Sequence, residues 1–206
     1  MTRLTVIKLG GSHAFSPTLR VWLGVIAGAA GEAVVVPGGG PFADAVRSAQ
    51  PRMGFDDRAA HAMALLAMSQ FATALAGIGA DLGFVTAESR AGIERARLAR
   101  QVPVWSPHAM LRDAPDVPAS WAVTSDSLAL WLAATISAPQ LLLIKARQVP
   151  RPASVQQLVD CGLLDRAFPE FVSRYTGTVF VAGADDMPQT PLETRRLPGS
   201  AVRALA

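Results

Sequence analysis

Lys8 and Lys145 are the only lysines in a chain that otherwise carries its positive charge on arginine. Each ends a short apolar run, Val6-Ile7-Lys8-Leu9-Gly10-Gly11-Ser12 and Leu141-Leu142-Leu143-Ile144-Lys145. A GC-rich genome would account for the arginines but not for two lysines in matching surroundings. An ammonium is a compact point charge on a mobile stem, suited to a phosphoryl oxygen, whereas guanidinium is a planar fork. The pair therefore points to phosphate chemistry. Two glycine clusters add to it, Gly10-Gly11 and Gly38-Gly39-Gly40, the second followed by Pro41. Bare peptide N–H groups there can approach an anion, and a following helix adds its positive end. A single Gly-rich turn is more simply a tight strand-to-helix connection, and neither cluster has the Walker or dinucleotide spacing. It is the combination with the lysines that carries weight.

Other residues are weaker candidates. Asp126, at a predicted helix start, is favoured there by the dipole alone; its functional role would be to hold one or both lysines charged. Ser12, Ser125 and Ser127 have no His/Asp companions for a hydrolase triad. His61 lies on a helix of low polarity, where a hydrogen-bonded structural histidine is the simpler expectation. Asp185-Asp186 follows Gly183 and reads as a solvated turn rather than a magnesium site. One cysteine, Cys161, excludes an internal disulfide and a Cys-based metal cluster.

The elements that must position these groups alternate between strand and helix. Strands are predicted at Leu4–Leu9, Ala33–Val36, Leu82–Thr86, Val102–Trp105, Gln140–Ile144 and Thr178–Ala182. Helices are predicted at Pro17–Ala30, Phe42–Ala49, Asp57–Ile78, Glu88–Ala99, Asp126–Ser137 and around Leu163–Tyr175. Asp56 or Asp57 is expected to cap the third of these, and Thr124 or Ser125 the fifth. On the Asp57–Ile78 helix Met63, Leu66, Ala67, Gln70, Phe71, Ala74 and Leu75 follow the helical period. Residues 112–120 read as a loop, and the tail after Pro188 is weakly patterned. The pattern predicts an α/β fold, a three-layer αβα sandwich with a mainly parallel central sheet. Lys8, Gly10-Gly11-Ser12, Gly38-Gly39-Gly40, Ser125-Asp126 and Lys145 fall at strand ends or helix starts, where such sheets collect ligands.

The 206 residues suffice for one domain with a substantial core; half are hydrophobic and 17% are charged. The net charge of +3, with aromatics at 6% and no basic run interleaved with them, makes a poor nucleic-acid footprint. Small anions suit it better. Ala62–Ala80 is uncharged and near spanning length, but its polar and glycine residues favour a buried helix over a membrane span. The start, Met1–Lys8, is too short in its apolar part for a signal peptide. A cytoplasmic protein is expected, and the sparse polarity of the Asp57–Ile78 helix predicts a homo-oligomer.

Val6-Ile7-Lys8-Leu9-Gly10-Gly11-Ser12 followed by Val35-Val36-Pro37-Gly38-Gly39-Gly40-Pro41-Phe42-Ala43-Asp44 resembles the amino acid kinase superfamily. Trp121-Ala122-Val123-Thr124-Ser125-Asp126-Ser127-Leu128-Ala129, Leu142-Leu143-Ile144-Lys145-Ala146 and His61-Ala62-Met63-Ala64 narrow the likeness. They are similar to the small aspartokinase-like branch of methanogens and methylotrophs, whose characterised members are (aminomethyl)furanmethyl phosphate kinases of methanofuran biosynthesis. The resemblance covers roughly residues 4–183. It implies one kinase domain over 1–206, with an acceptor-side part to about 120 and a nucleotide-side part from about 121. It implies ATP and Mg2+, Lys8 on the transferred phosphoryl group, and Gly10, Gly11, Ser12 and Ser125 on the nucleotide phosphates. Gly38, Gly39, Gly40 and His61 would line the acceptor side, and Asp126 would organise Lys8 and Lys145. The implied acceptor is a small phosphorylated molecule, converted to a diphosphate.

The chain departs from the family where Thr-Asp-Val-Asp-Gly usually follows the strand: Lys145 leads into Ala146-Arg147-Gln148-Val149-Pro150. A Gly-Gly-Met-x-x-Lys element near the C-terminus is also absent. Arg147 and Arg151 are candidates for phosphate contacts there. The departure leaves two further readings, a nucleotide- or partner-binding subunit of kinase fold without turnover, and a kinase for an amino acid carboxylate.

Overall fold

In the computed structural model, which describes residues 4–202, the apolar run at the N-terminus becomes β1 (Thr5–Leu9), five buried residues in a row. It pairs in parallel with β2 (Ala33–Pro37) on one side and β5 (Gln140–Ile144) on the other. Continuous β-branched or leucine runs of this kind belong inside a sheet covered on both faces. With β3 (Phe84–Ala87), β4 (Val102–Trp105), β6 (Thr178–Ala182) and β7 (Ser200–Val202), they form one sheet in the order β3-β4-β2-β1-β5-β6-β7. Only β7 is antiparallel.

Pleating divides the core in two. Val6, Val34, Val36, Leu141 and Leu143 enter one cluster, together with α6 (Ser125–Thr135). Ile7, Leu9, Val35, Leu142 and Ile144 enter the other, with α1 (Leu19–Ala27). Helices thus cover both faces, with α4 (Arg90–Leu98) packed on β3 and β4 and the short α5 (His108–Leu111) following β4, giving the expected three-layer α/β sandwich with a mainly parallel sheet. The chain leaves β1 toward β2 and later returns to β1's other side as β5. That reversal makes the carboxyl end of β1 a topological switch point, where open sheets of this kind leave a crevice.

Several predicted boundaries move for local reasons. α2 runs over Gly40–Met53, past the expected Ala49 and through Pro51, and ends at Gly54 with φ +77°. β3 starts at Phe84 rather than Leu82, since Ala80–Leu82 is a 3-10 turn closed by Gly83 at φ +83°. Of the piece expected around Leu163–Tyr175 only α8 (Phe168–Val172) is an α-helix, and a helix not expected, α7 (Val155–Asp160) with its Ser154/Gln157 capping box, precedes it. Gly162 (φ +69°) separates them, and Pro169 can open α8 but not continue a helix. The tail adds β7 at the sheet edge.

α3 (Asp57–Ile78) has the predicted extent, and Asp56 caps it by accepting from the Ala59 N–H at 2.8 Å. Its phase differs: Ala60, Leu65, Ala67, Met68, Phe71, Ala72 and Leu75 are buried, whereas Met63, Leu66 and Gln70 face outward. α3 is the one described helix long and apolar enough to cross a membrane, but it packs on β2, β3 and β4. The first three residues of the leader reading lie outside the described residues.

Candidate active site

Register brings the two lysines together. Lys8 lies opposite Leu143 across the β1–β5 ladder, so Lys145 follows two residues later on the same pleated face. That face is the one α6 covers, and Asp126 sits in α6's first turn. Its carboxylate takes both ammonium groups. Lys145 Nζ donates to Oδ1 and Oδ2 at 2.7 and 2.8 Å, and Lys8 Nζ stands 2.9 Å from Oδ1. All three residues are buried, between 5% and 8% exposed. Burial alone would raise the Asp126 pKa, but Lys145 and then Lys8 overcome it and hold it at about 2. Burial lowers Lys145 to about 8; Asp126 opposes that shift and Lys8 adds to it. The trio carries one more positive than negative charge, so an incoming anion meets an under-neutralised pocket of ammonium.

The start of α6 is held by a residue the sequence reading passed over. Neither Thr124 nor Ser125 caps the helix with its own side chain, as had been expected. Asp165, from the turn before α8, accepts instead from the backbone N–H groups of Thr124 (2.9 Å) and Ser127 (3.0 Å). It also accepts from their hydroxyls, at 2.8 and 2.5 Å. Burial, then the nearby Asp126, raises the Asp165 pKa, and these donors pull it back. Asp165 thereby fixes where Asp126 points.

The glycine clusters meet backbone to backbone. The Gly38 N–H donates to the Leu9 carbonyl at 3.0 Å. A Cβ on Gly38 would lie 2.1 Å from the Gly11 nitrogen, and one on Gly11 would lie 2.3 Å from the Gly40 nitrogen. On Gly10 it would come within 2.9 Å of Lys8 Nζ. Gly40 opens α2 with φ +54°, a conformation that suits glycine. Main chain cannot swing away as a side-chain tip can. Gly38→Ala should therefore lower stability by about 1–3 kcal/mol. Gly24→Ala, with nothing within 4 Å of its Cβ, should not destabilise. Thermal unfolding of the two variants checks this, and an unchanged midpoint for Gly38→Ala would refute the close approach.

A cavity of about 360 Å³ opens from this junction. Gly11, Ser12, Gly38, Gly39, Gly40 and Ser125 form one part of its lining. His61 borders it from α3, and burial lowers its pKa, so it stands as neutral imidazole at neutral pH. Lys8, Asp126, Lys145 and Gly10 are not part of this lining but adjoin it, Gly10 through Gly11 and Asp126 through Ser125. Arg47 and Trp121, which sequence reasoning missed, form part of the opposite wall. The Arg47 guanidinium covers the Trp121 ring at 4.5 Å, and the Trp121 Nε1–H donates to Gln50 Oε1 at 2.6 Å. These contacts join residues more than seventy positions apart, so no local spacing signals them.

His13, directly after Ser12, is 2% exposed, and neither ring nitrogen has a hydrogen-bond partner. Burial, then Lys8, lowers its pKa, although the Ile144 backbone favours its protonated form somewhat. Arg151 pairs with Asp186, which also accepts from the Gly183 N–H at 2.7 Å, while Asp185 accepts from Gln148. Asp185-Asp186 thus closes a turn, and Arg151 is committed to it. Among the described residues no group of His, Cys, Asp and Glu could hold a metal by itself.

Known proteins show which family the chain falls in. The amino acid kinase family matches residues 3–147. A [5-(aminomethyl)furan-3-yl]methyl phosphate kinase from Methanocaldococcus jannaschii is 23% identical over 141 residues, 67% of this chain. The match spans 63% of that relative's length. Among solved structures, the UMP kinase from Ureaplasma parvum superposes with a TM-score of 0.66 at 15% identity, covering 91% of this chain and 92% of that one. The UMP kinase from Bacillus anthracis gives 0.65 at 14% identity, over 99% and 97%. At such identities the structures speak to fold. The family match extends from β1 through Lys145, and on that ground the chain belongs to the amino acid kinase family.

Proposed function

We propose that the protein is an ATP-dependent kinase that transfers the γ-phosphoryl group to a phosphate monoester and yields a diphosphate. The observation that carries this reading is the convergence of Lys8, Asp126 and Lys145 with the side-chain-free main chain of Gly10-Gly11 and Gly38-Gly40. Phosphoryl transfer asks mainly for positioning and charge neutralisation. In this reading Lys8 and Lys145 face the oxygens of the transferred group, with Gly10, Gly11, Ser12 and Ser125 on the nucleotide phosphates. Gly38, Gly39, Gly40 and His61 border the acceptor. An acceptor oxygen attacks the γ-phosphorus, the bond to the bridging oxygen breaks, and its electron pair leaves with ADP. A phosphate monoester is already ionised at neutral pH, so no general base is needed; Asp126, tied to two ammoniums, could not serve as one. With no group of metal-ligating side chains among the described residues, Mg2+ would arrive on the nucleotide, where it neutralises phosphate charge.

The methanococcal relative, a [5-(aminomethyl)furan-3-yl]methyl phosphate kinase, supports an aminomethylfuran phosphate as the acceptor. In the same reading, residues to about 120 supply the acceptor side and those from about 121 the nucleotide side. The outward apolar positions on α3 and α2, Met63, Leu66, Ile78 and Met53, would be covered in a homo-oligomer. Incubation with ATP, Mg2+ and an (aminomethyl)furanylmethyl phosphate, followed by 31P NMR, should show a diphosphate. Because Lys145 titrates near 8 in the free protein, kcat/KM should fall as pH rises through that value. ATP binding without diphosphate formation would overturn the proposal in favour of a non-catalytic binding subunit.

A further inference from the structure

The cavity is oppositely charged toward its two ends. At one end lie Gly11, Gly38, Gly39, Gly40 and Ser125, the last adjoining Asp126 and its two buried ammonium partners. At the exposed end the charged lining residues are Asp44, Arg47 and Asp57. Arg47 and Asp44 neutralise each other at 2.9 Å. Asp57 has no cationic partner among the described residues; its Oδ1 accepts from the neutral Gln50 amide at 2.8 Å. The same Gln50 receives the Trp121 indole N–H, so one side chain braces both Asp57 and Trp121 along the cavity wall. Asp57 is also not needed to cap α3, since Asp56 does that.

From this polarity we infer that Asp57 is a specificity residue, selecting acceptors that carry an ammonium group at the end remote from the phosphate. Such a molecule is a zwitterion whose two charges match the two ends of the cavity, with its flat or apolar middle against Trp121, Leu65 and Met68. A phosphate monoester without the amine leaves the Asp57 carboxylate facing solvent and gains nothing there. A second anionic group at that end would be repelled. The assignment rests on the kinase reading for the identity of the phosphate end, but the amine preference can be read from binding alone.

The test compares (aminomethyl)furanylmethyl phosphate with the amine-free furanylmethyl phosphate, by calorimetry and by turnover with ATP. Wild-type protein should favour the amine by about five- to tenfold at low salt, the size expected of one partly screened charge pair. That ratio should shrink as salt is raised. In Asp57→Asn it should fall to about one, and Asp57→Glu should restore part of it. A merely structural Asp57 would lower affinity for both compounds together and leave the ratio and its salt dependence intact, which would overturn the inference. Discrimination in binding without turnover would instead sink the kinase reading and keep Asp57's assignment. Turnover of both compounds without discrimination does the reverse. Binding of neither compound overturns both.

Discussion

Lys8→Ala should lower kcat by about 30- to 1000-fold, the 2–4 kcal/mol expected when a charge that acts chiefly in the transition state is deleted. It should do so with little loss of fold. Asp126 binds Lys145 through both oxygens, so removing Lys8 leaves a neutral, fully hydrogen-bonded pair rather than a stranded ion. The variant also carries an internal marker. Lys8 is one of the charges that lower Lys145, so its loss should move the alkaline limb of kcat/KM above pH 8. Lys8→Arg should not rescue the rate. The space above the ammonium is closed by Gly10, where even a methyl group would come within 2.9 Å of Nζ, and a planar fork has nowhere to lie. Steady-state kinetics over pH 6–10 with a parallel melting curve measures all of this. An unchanged kcat would remove Lys8 from the chemistry.

What could be read from sequence here divides by range. β2, β4, β5 and β6 are runs whose ends are marked by Pro37, Ser106, Lys145 and Gly183, so their limits are written locally. The two lysines were legible for the same reason, each at the end of such a run. That they share one carboxylate needed the β1–β5 register, which places Lys8 opposite Leu143. Asp165 was illegible because a loop acid nearly forty residues downstream gives no sign of the helix end it holds. Arg47, Gln50, Trp121 and the place of Asp57 at the cavity escaped notice likewise: these four side chains come from α2, α3 and the loop before α6. On α3 the alanines blur the period, since small residues fit inside or outside, and Met63 and Leu66 were assigned inward when they face out. His13 gives no sequence signal of being buried without a partner. Only the turn from β1 into α1 brings it close enough to Lys8 and Lys145 for their charges to act on it.

Asp126→Asn is the reverse experiment, and its larger effect is on the fold. An amide cannot balance two buried ammoniums, and breaking such a pair from one side costs about 3–5 kcal/mol. The protein's escape is to release a proton. Lys145 already binds its proton less tightly in the folded state, at about 8 against 10.5. Without Asp126 it should bind it less tightly still. Between the folded and unfolded pKa values the unfolded chain holds more protons, so stability rises with pH, and it rises further for the variant than for wild type. The deficit measured by urea unfolding should therefore narrow by about 1 kcal/mol between pH 7 and pH 9. At the acid end the sign reverses: the carboxylate's contribution in wild type, present above pH 3.8, is lost as pH falls toward 2. A deficit that did not change with pH would mean the lysines are not charged as described. Replacing the whole trio with apolar residues of similar volume should recover most of the stability and none of the activity. That outcome would place the reason for keeping two ammoniums and one carboxylate in the interior with the anion they receive, since the fold alone does not require them.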